Sequence, residues 1–194
     1  MENSTFKEHI KPSLVLVLLC LVVSVALSQV YSITLPLINE MSAKTANQTR
    51  TLVLPKAETF TPYKGKLQEG IVDFYRADNG AGAAITAEAN SYGGPITVMI
   101  GIDAKGAVTG VKVMSHSDTP GLGTKAQTPE YLSQYEGKTA ADLIADLETV
   151  GQDTIKDNTN LDAVTGATIS SNGVYHAVQR ALAQFEAAGG VKNE

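Results

Sequence analysis

Cysteine is almost missing from this sequence. The one thiol, Cys20, lies in an apolar run. That excludes an intramolecular disulfide, and any zinc or iron–sulfur centre built from several thiolates. Histidine occurs three times, as His9, His116 and His176, too scattered for a His-rich metal site. Redox chemistry in this chain would therefore need an organic cofactor. Tryptophan is absent, and charged residues make up only 18%, below the usual quarter or so. The net charge is −5 and no basic cluster is present, a poor basis for holding a phosphate backbone, so no nucleic-acid partner is expected. No internal repeat is visible. What is present is a 43% hydrophobic share, too high for a disordered chain. A length of 194 residues accommodates one ordinary domain with an appendage, but not two large domains.

The hydrophobicity is concentrated. No charged side chain occurs from Pro12 to Asn39. The apolar centre, Leu14 to Ile33, is about 20 residues, or roughly 30 Å of helix, the thickness of a bilayer core. Tyr31 suits the outer interface. The rival reading is a cleaved signal peptide, with Lys7 and Lys11 before an apolar Leu14–Val23 and Ala26-Leu27-Ser28 as the cleavage site. The apolar stretch continues through Val30, Ile33, Leu35 and Leu37, which favours a retained anchor in membrane lipid. Lys7 and Lys11 favour a cytoplasmic N-terminus, and the rest of the chain is then exported. The expected organisation is a tail over 1–11, a transmembrane helix over 12–36, a polar juxtamembrane stalk over 37–67, a folded domain over 68–190 and a tail over 191–194.

Within the folded domain the pattern is that of strands. Ile71, Val72, Phe74 and Tyr75 suggest one, and the alanine-rich 81–90 another. The clearest element is a hairpin: Ile96–Ile102, a turn at Asp103-Ala104-Lys105-Gly106, then Val108–Met114. Thr128-Pro129-Glu130 reads as cap, proline and acid opening a short helix to about Tyr135. Thr139-Ala140-Ala141-Asp142 opens another, ending before Gly151. Val174, Ala177, Val178, Ala181, Leu182 and Phe185 recur at helical spacing, and Gly189-Gly190 ends that helix. The expected fold is α+β: one N-terminal transmembrane helix, then a small, mostly antiparallel sheet packed against helices.

Two segments carry candidate chemistry. In His116-Ser117-Asp118-Thr119-Pro120-Gly121-Leu122-Gly123-Thr124-Lys125, a proline and two glycines make a loop. It is either a plain tight turn or a place where backbone approaches a flat ligand. The second segment, Asp162 to Asn172, runs into the last helix. A helix N-terminus leaves N–H groups unpaired and carries partial positive charge, which suits an anion. Thr165, Thr168, Ser170, Ser171 and Asn172 crowd this turn. One of Ser170 or Ser171 is expected to cap the helix, but capping does not account for the excess of hydroxyl and amide groups.

Asp162-Ala163-Val164-Thr165-Gly166-Ala167-Thr168 resembles the Asp-x-x-Ser/Thr-Gly-Ala-Thr flavinylation motif of the covalent FMN-binding domain family. Thr119-Pro120-Gly121-Leu122-Gly123 resembles that family's second signature. With one membrane span ahead of both, the whole chain resembles the G-subunit family of Rnf ion-translocating ferredoxin:NAD oxidoreductase complexes. A related family is the C subunit of sodium-translocating NADH:quinone oxidoreductases. The resemblance implies FMN joined by a phosphoester to Thr168, installed from FAD with release of AMP by a separate flavin transferase. It implies that Thr165, Gly166 and Ala167 form the body of the motif, that Asp162 serves transferase recognition, and that Thr119 to Gly123 lie against the isoalloxazine ring. Ser170 stands where the helix dipole would meet the phosphodiester. His116 and Lys125 flank the glycine loop, where charge would tune a flavin.

The implied function is electron transfer between other subunits of a membrane-bound redox complex coupled to Na⁺ or H⁺ translocation. Such a subunit has no substrate of its own and no catalytic residues. The alternatives are a stand-alone extracytoplasmic flavin reductase acting on a small acceptor, a C-type subunit of a sodium-translocating NADH:quinone oxidoreductase, and a non-redox surface module in which the Thr/Ser cluster only caps a helix.

Overall fold

The structure, a computed structural model, describes residues 2–144, 150–151, 154–155 and 161–190. The tail expected over 191–194, and most of the chain between α3 and Gly151, lie outside the described residues. By contacts the chain divides into two units, Met1–Ala46 and Asn47–Glu194.

Helix α1 spans Glu2–Val53. In the first unit its apolar side chains face outward, from Leu14 at 67% exposure to Ile33 at 76%. Among the described residues it is the one helix long and apolar enough to cross a membrane. The segment's few polar groups can be satisfied locally: the Ser32 hydroxyl donates to the Ser28 carbonyl at 2.9 Å, the back-bonding that lets a serine sit in an apolar helix.

The second unit is built on a five-stranded sheet in the order β1-β2-β3-β4-β5 with every pairing antiparallel. The strands are Phe60–Pro62, Ile71–Ala77, Gly82–Ser91, Gly94–Asp103 and Val108–Ser115. The expected hairpin is β4–β5. Its turn closes because the Asp103 carboxylate accepts from the Lys105 and Ala107 amides at 2.8 and 3.0 Å, an aspartate-built turn. Helix α2 covers Pro129–Leu132, α3 Ala140–Leu143 and α4 Thr168–Ala187. A 3-10 turn over Gly123–Gln127 precedes α2, and another over Ser133–Tyr135 follows it. The region read as one short helix, from Thr128 to about Tyr135, is thus two short pieces. Thr128 caps α2 by accepting from the Tyr131 amide at 3.3 Å, and Thr139 and Asp142 form a capping box on α3.

Helix α4 lies on one face of the sheet. Its Val174, Val178, Leu182 and Phe185 are buried, and they share a core with Ala83, Ile85, Ala87 and Ala89 of β3 and Ile96, Val98, Ile100 and Ile102 of β4. The alternate positions of each strand supply that face because side chains alternate along a strand. Small alanines on β3 leave room for the helix. Gly173 takes this furthest: a Cβ there would lie 2.9 Å from the Asn90 carbonyl oxygen and 3.2 Å from Ile96 Cγ2. The start of α4 can therefore sit directly against the end of the β3–β4 hairpin.

The sequence places a polar stalk over 37–67. In the structure, residues from Asn47 onward belong to the folded unit. Thr49, Arg50, Val53 and Leu54 are buried. The Arg50 guanidinium lies 3.5 Å from the Tyr75 ring centroid and 3.5 Å from the Asp73 carboxylate, and Thr109 donates to the Val53 carbonyl. Phe60 of β1 packs beside Leu54, Ala57 and Ala77. These contacts join residues distant in sequence, so a composition reading of 47–67 sees only its polarity.

Candidate functional site

A cleft of about 460 Å³ opens where α4 begins, within the size range of small-molecule sites. It is lined by Tyr92 from the β3–β4 turn, by Thr119, Leu122 and Gly123 from the glycine loop, and by Gly166, Ala167, Thr168, Ile169 and Ser170. Two segments more than forty positions apart in sequence thus form facing walls.

The helix wall follows from its backbone. Val164, Thr165, Gly166 and Ala167 form a turn closed by the Ala167 amide on the Val164 carbonyl at 2.9 Å. Gly166 has φ +80°, which favours glycine at this point of a turn. Three anchors hold the approach. Gln134 grips the Asp162 backbone from both sides, accepting from its N–H at 2.9 Å and donating to its carbonyl at 3.3 Å. The Ser171 hydroxyl accepts from the Val164 amide at 3.0 Å. The Ser171 amide bonds the Ala167 carbonyl at 2.9 Å.

The cap expected from Ser170 or Ser171 is not there. Ala167 occupies the cap position, and no side chain caps α4. Ser171 is drawn back to the preceding loop, and Ser170 is drawn to Asp118. Among the described residues the first N–H groups of α4 have no side-chain cap, and Thr168, Ile169 and Ser170 of that turn line the cleft. Unpaired amides and the positive end of the helix dipole make an anion site.

The opposite wall depends on Asp118. Its carboxylate accepts from Ser91 Oγ at 2.6 Å and from the Gly93 amide at 2.8 Å. The Ser170 hydroxyl lies close enough to the carboxylate to favour its charged form. Burial raises its pKa, but these three polar neighbours and the nearby His116 outweigh that and hold it below its ordinary value. Gly123 fits beneath it, since a Cβ there would lie 2.7 Å from Asp118 Cβ and 2.7 Å from Ser170 Oγ. Leu122, Tyr92 and Ile169 are 54%, 70% and 56% exposed, so they give the cleft an apolar rim.

Of the residues named from sequence, Thr119, Leu122, Gly123, Gly166, Ala167, Thr168 and Ser170 line the cleft. Asp162, Thr165, Pro120, Gly121, His116 and Lys125 are exposed and do not line it. Gly121 instead shapes the loop, with φ +78° and its amide on Thr124 Oγ1 at 2.9 Å. His176 is half-buried beside the Tyr175 ring, 5.8 Å between centroids. Sequence reasoning missed Tyr92, Ile169, Gln134 and Asp118. Tyr92 sits in a two-residue hairpin turn and Ile169 off the helix stripe, and neither carries a local signal. Asp118 stood inside the glycine loop, and only its burial marks it out.

An antiparallel sheet backed by one long helix, whose uncapped start and a glycine loop bound an apolar-rimmed cleft, defines a domain with a cleft of small-ligand size. Similarity to known proteins agrees with that class. The family model described as FMN-binding domain matches residues 91–183, a range that holds every cleft-lining residue. The G subunit of the proton-translocating ferredoxin:NAD(+) oxidoreductase complex of Clostridium ljungdahlii is 32% identical over 173 residues, 87% of each chain. The G subunit of the Na(+)-translocating ferredoxin:NAD(+) oxidoreductase complex of Acetobacterium woodii is 29% identical over 198 residues, 93% of each chain. Among solved structures, the crystal structure of Shewanella oneidensis NqrC is similar at 20% identity with a TM-score of 0.46, over 71% of this chain and 70% of that one. This chain belongs to the G-subunit family of ion-translocating oxidoreductase complexes and carries an FMN-binding domain.

Proposed function

We propose that the protein is a flavin-carrying electron-transfer subunit of an Rnf-type complex, with FMN joined through its phosphate to the Thr168 hydroxyl. The observation that carries this reading is the convergence of the two signature segments on one cleft, at an α4 N-terminus whose N–H groups have no side-chain cap. The residues present fit such a group. The free amides of the first turn of α4 would hold the phosphate. The wall of Thr119, Leu122 and Gly123 would take the ring system, and the apolar rim would keep water from it. Bound there, the flavin supplies the electron chemistry, and this chain supplies position and electrostatics.

In maturation, a flavin transferase would bring FAD. The Thr168 oxygen would bond to the flavin-side phosphorus as the bond to AMP breaks, the hydroxyl proton leaving with AMP. Asp162, exposed and gripped through its backbone by Gln134, is available for recognition by that enzyme. His116 and Lys125, on the loop's exposed flanks, would act on the ring only through charge. Residues 12–36 of α1 form the proposed single membrane span, with the N-terminus cytoplasmic and the flavin domain outside. Electrons would pass between neighbouring subunits, coupled to movement of Na⁺ or H⁺.

The test is co-expression of the full chain with a flavin transferase shown to be active on a control substrate, followed by intact mass and peptide mapping. A gain of one FMN group on the peptide holding Thr168 is the expected result. An unmodified mass would remove the reading.

A further inference from the structure

Two charged side chains are buried among the described residues, Arg50 and Asp118. Arg50 has the Asp73 carboxylate and the Tyr75 ring against it. Asp118 is 4% exposed, yet both hydrogen-bond donors found for its carboxylate among the described residues are neutral, Ser91 Oγ and the Gly93 amide, with the Ser170 hydroxyl close by. A buried carboxylate is costly unless such bonds compensate it. These groups come from two different elements, and each is next to or part of the cleft wall. Ser91 and Gly93 flank Tyr92, which lines the cleft, and so does Ser170. Behind Gly123, the carboxylate lies one layer from the cleft surface.

We propose that Asp118 is a positioning residue of the cleft: it ties two of its walls, the Tyr92 turn and the glycine loop, and its fixed charge opposes the arrival of electrons in the cleft. Charge-assisted bonds are stronger than neutral ones, so the carboxylate holds the two walls at one spacing. A negative charge this close, screened little by water, disfavours any added negative charge nearby. It therefore lowers the potential of a flavin bound there. This second effect rests on the flavin reading, while the tie between the walls does not.

The experiment compares the wild-type full chain with Asp118→Asn and Ser91→Ala. Hydrogen exchange is first followed on protein made without the transferase. Amides over Ser91–Gly94 are expected to exchange at least about tenfold faster in both variants, with Val174–Phe185 unchanged. Unaltered exchange at the turn would overturn the tie. Redox titration of the flavin-loaded proteins is the second readout. At one fixed potential, Asp118→Asn is expected to raise the ratio of reduced to oxidised flavin about tenfold, the scale of one charge near the site. Ser91→Ala keeps the charge and should leave the ratio within about twofold of wild type. Equal shifts in the two variants, or none in Asp118→Asn, would overturn the electrostatic role. If wild type takes up no flavin, the functional reading fails, and the exchange data alone decide the tie. Should Asp118→Asn not fold, the exchange profile of Ser91→Ala decides it.

Discussion

Thr168 and Gly123 show how much rests on single positions at this site. Thr168 is half-buried in the first turn of α4 and bears no structural hydrogen bond among those described. Thr168→Ala should therefore change stability by less than about 1 kcal/mol, a small surface effect, while abolishing covalent flavin. Thermal melting and intact mass check the two halves of that expectation, and a flavin mass on the variant would refute the assignment. Gly123→Ala should behave in the opposite way. Its new methyl meets Asp118 and Ser170 at 2.7 Å, so overpacking should cost about 1–3 kcal/mol, read as a lower melting temperature. Asp118 sets a pH dependence. Its folded pKa is lowered from 3.8, so the unfolded chain binds the proton first. The stabilisation is whole above that value and is lost as pH falls through the lower folded one. Between pH 5 and 3 the wild-type melting temperature should fall further than that of Asp118→Asn. Parallel curves would mean that the carboxylate does not titrate in this way.

Helix α4 was the most legible element. Its six apolar positions predict the buried stripe, and Gly189-Gly190 lie directly past its last turn, the Gly190 amide bonding the Phe185 carbonyl at 3.0 Å. Leu182 is 1% exposed in the core, so Leu182→Ala should cost about 2–5 kcal/mol, measured by denaturant midpoint. At the other end of the same helix, local preference and tertiary structure part. Serine is a preferred cap, and two serines stand there. Partners outside the helix compete for both hydroxyls, and the cap position falls to Ala167. Local propensity could not reveal a competitor that lies more than fifty residues away, as Asp118 does.

In the whole molecule, the division after Ala46 makes a prediction about truncation. A chain beginning at Asn47 keeps the buried Arg50, Val53 and Leu54, and should melt cooperatively. A chain beginning at Gln68 loses them, together with strand β1. It uncovers Ala77, now 5% exposed in a cluster with Leu54, Ala57 and Phe60, and should aggregate or melt without cooperativity. Circular dichroism and sedimentation distinguish the two. An equally stable shorter chain would show that residues 47–67 are dispensable to the fold.

By itself the sequence determined the apolar helix, the hairpin, the buried stripe and the two signature segments. Each is written in short-range order: a hydrophobic run, a period of two or 3.6, or a fixed spacing of small and hydroxyl residues. Only the tertiary structure decided which of those residues share a cleft. It also decided that the α4 amides stay uncapped, and that the polar 47–67 segment belongs to the folded unit. These outcomes depend on contacts between segments far apart in the chain, where burial and hydrogen-bond competition, rather than local preference, select the partner.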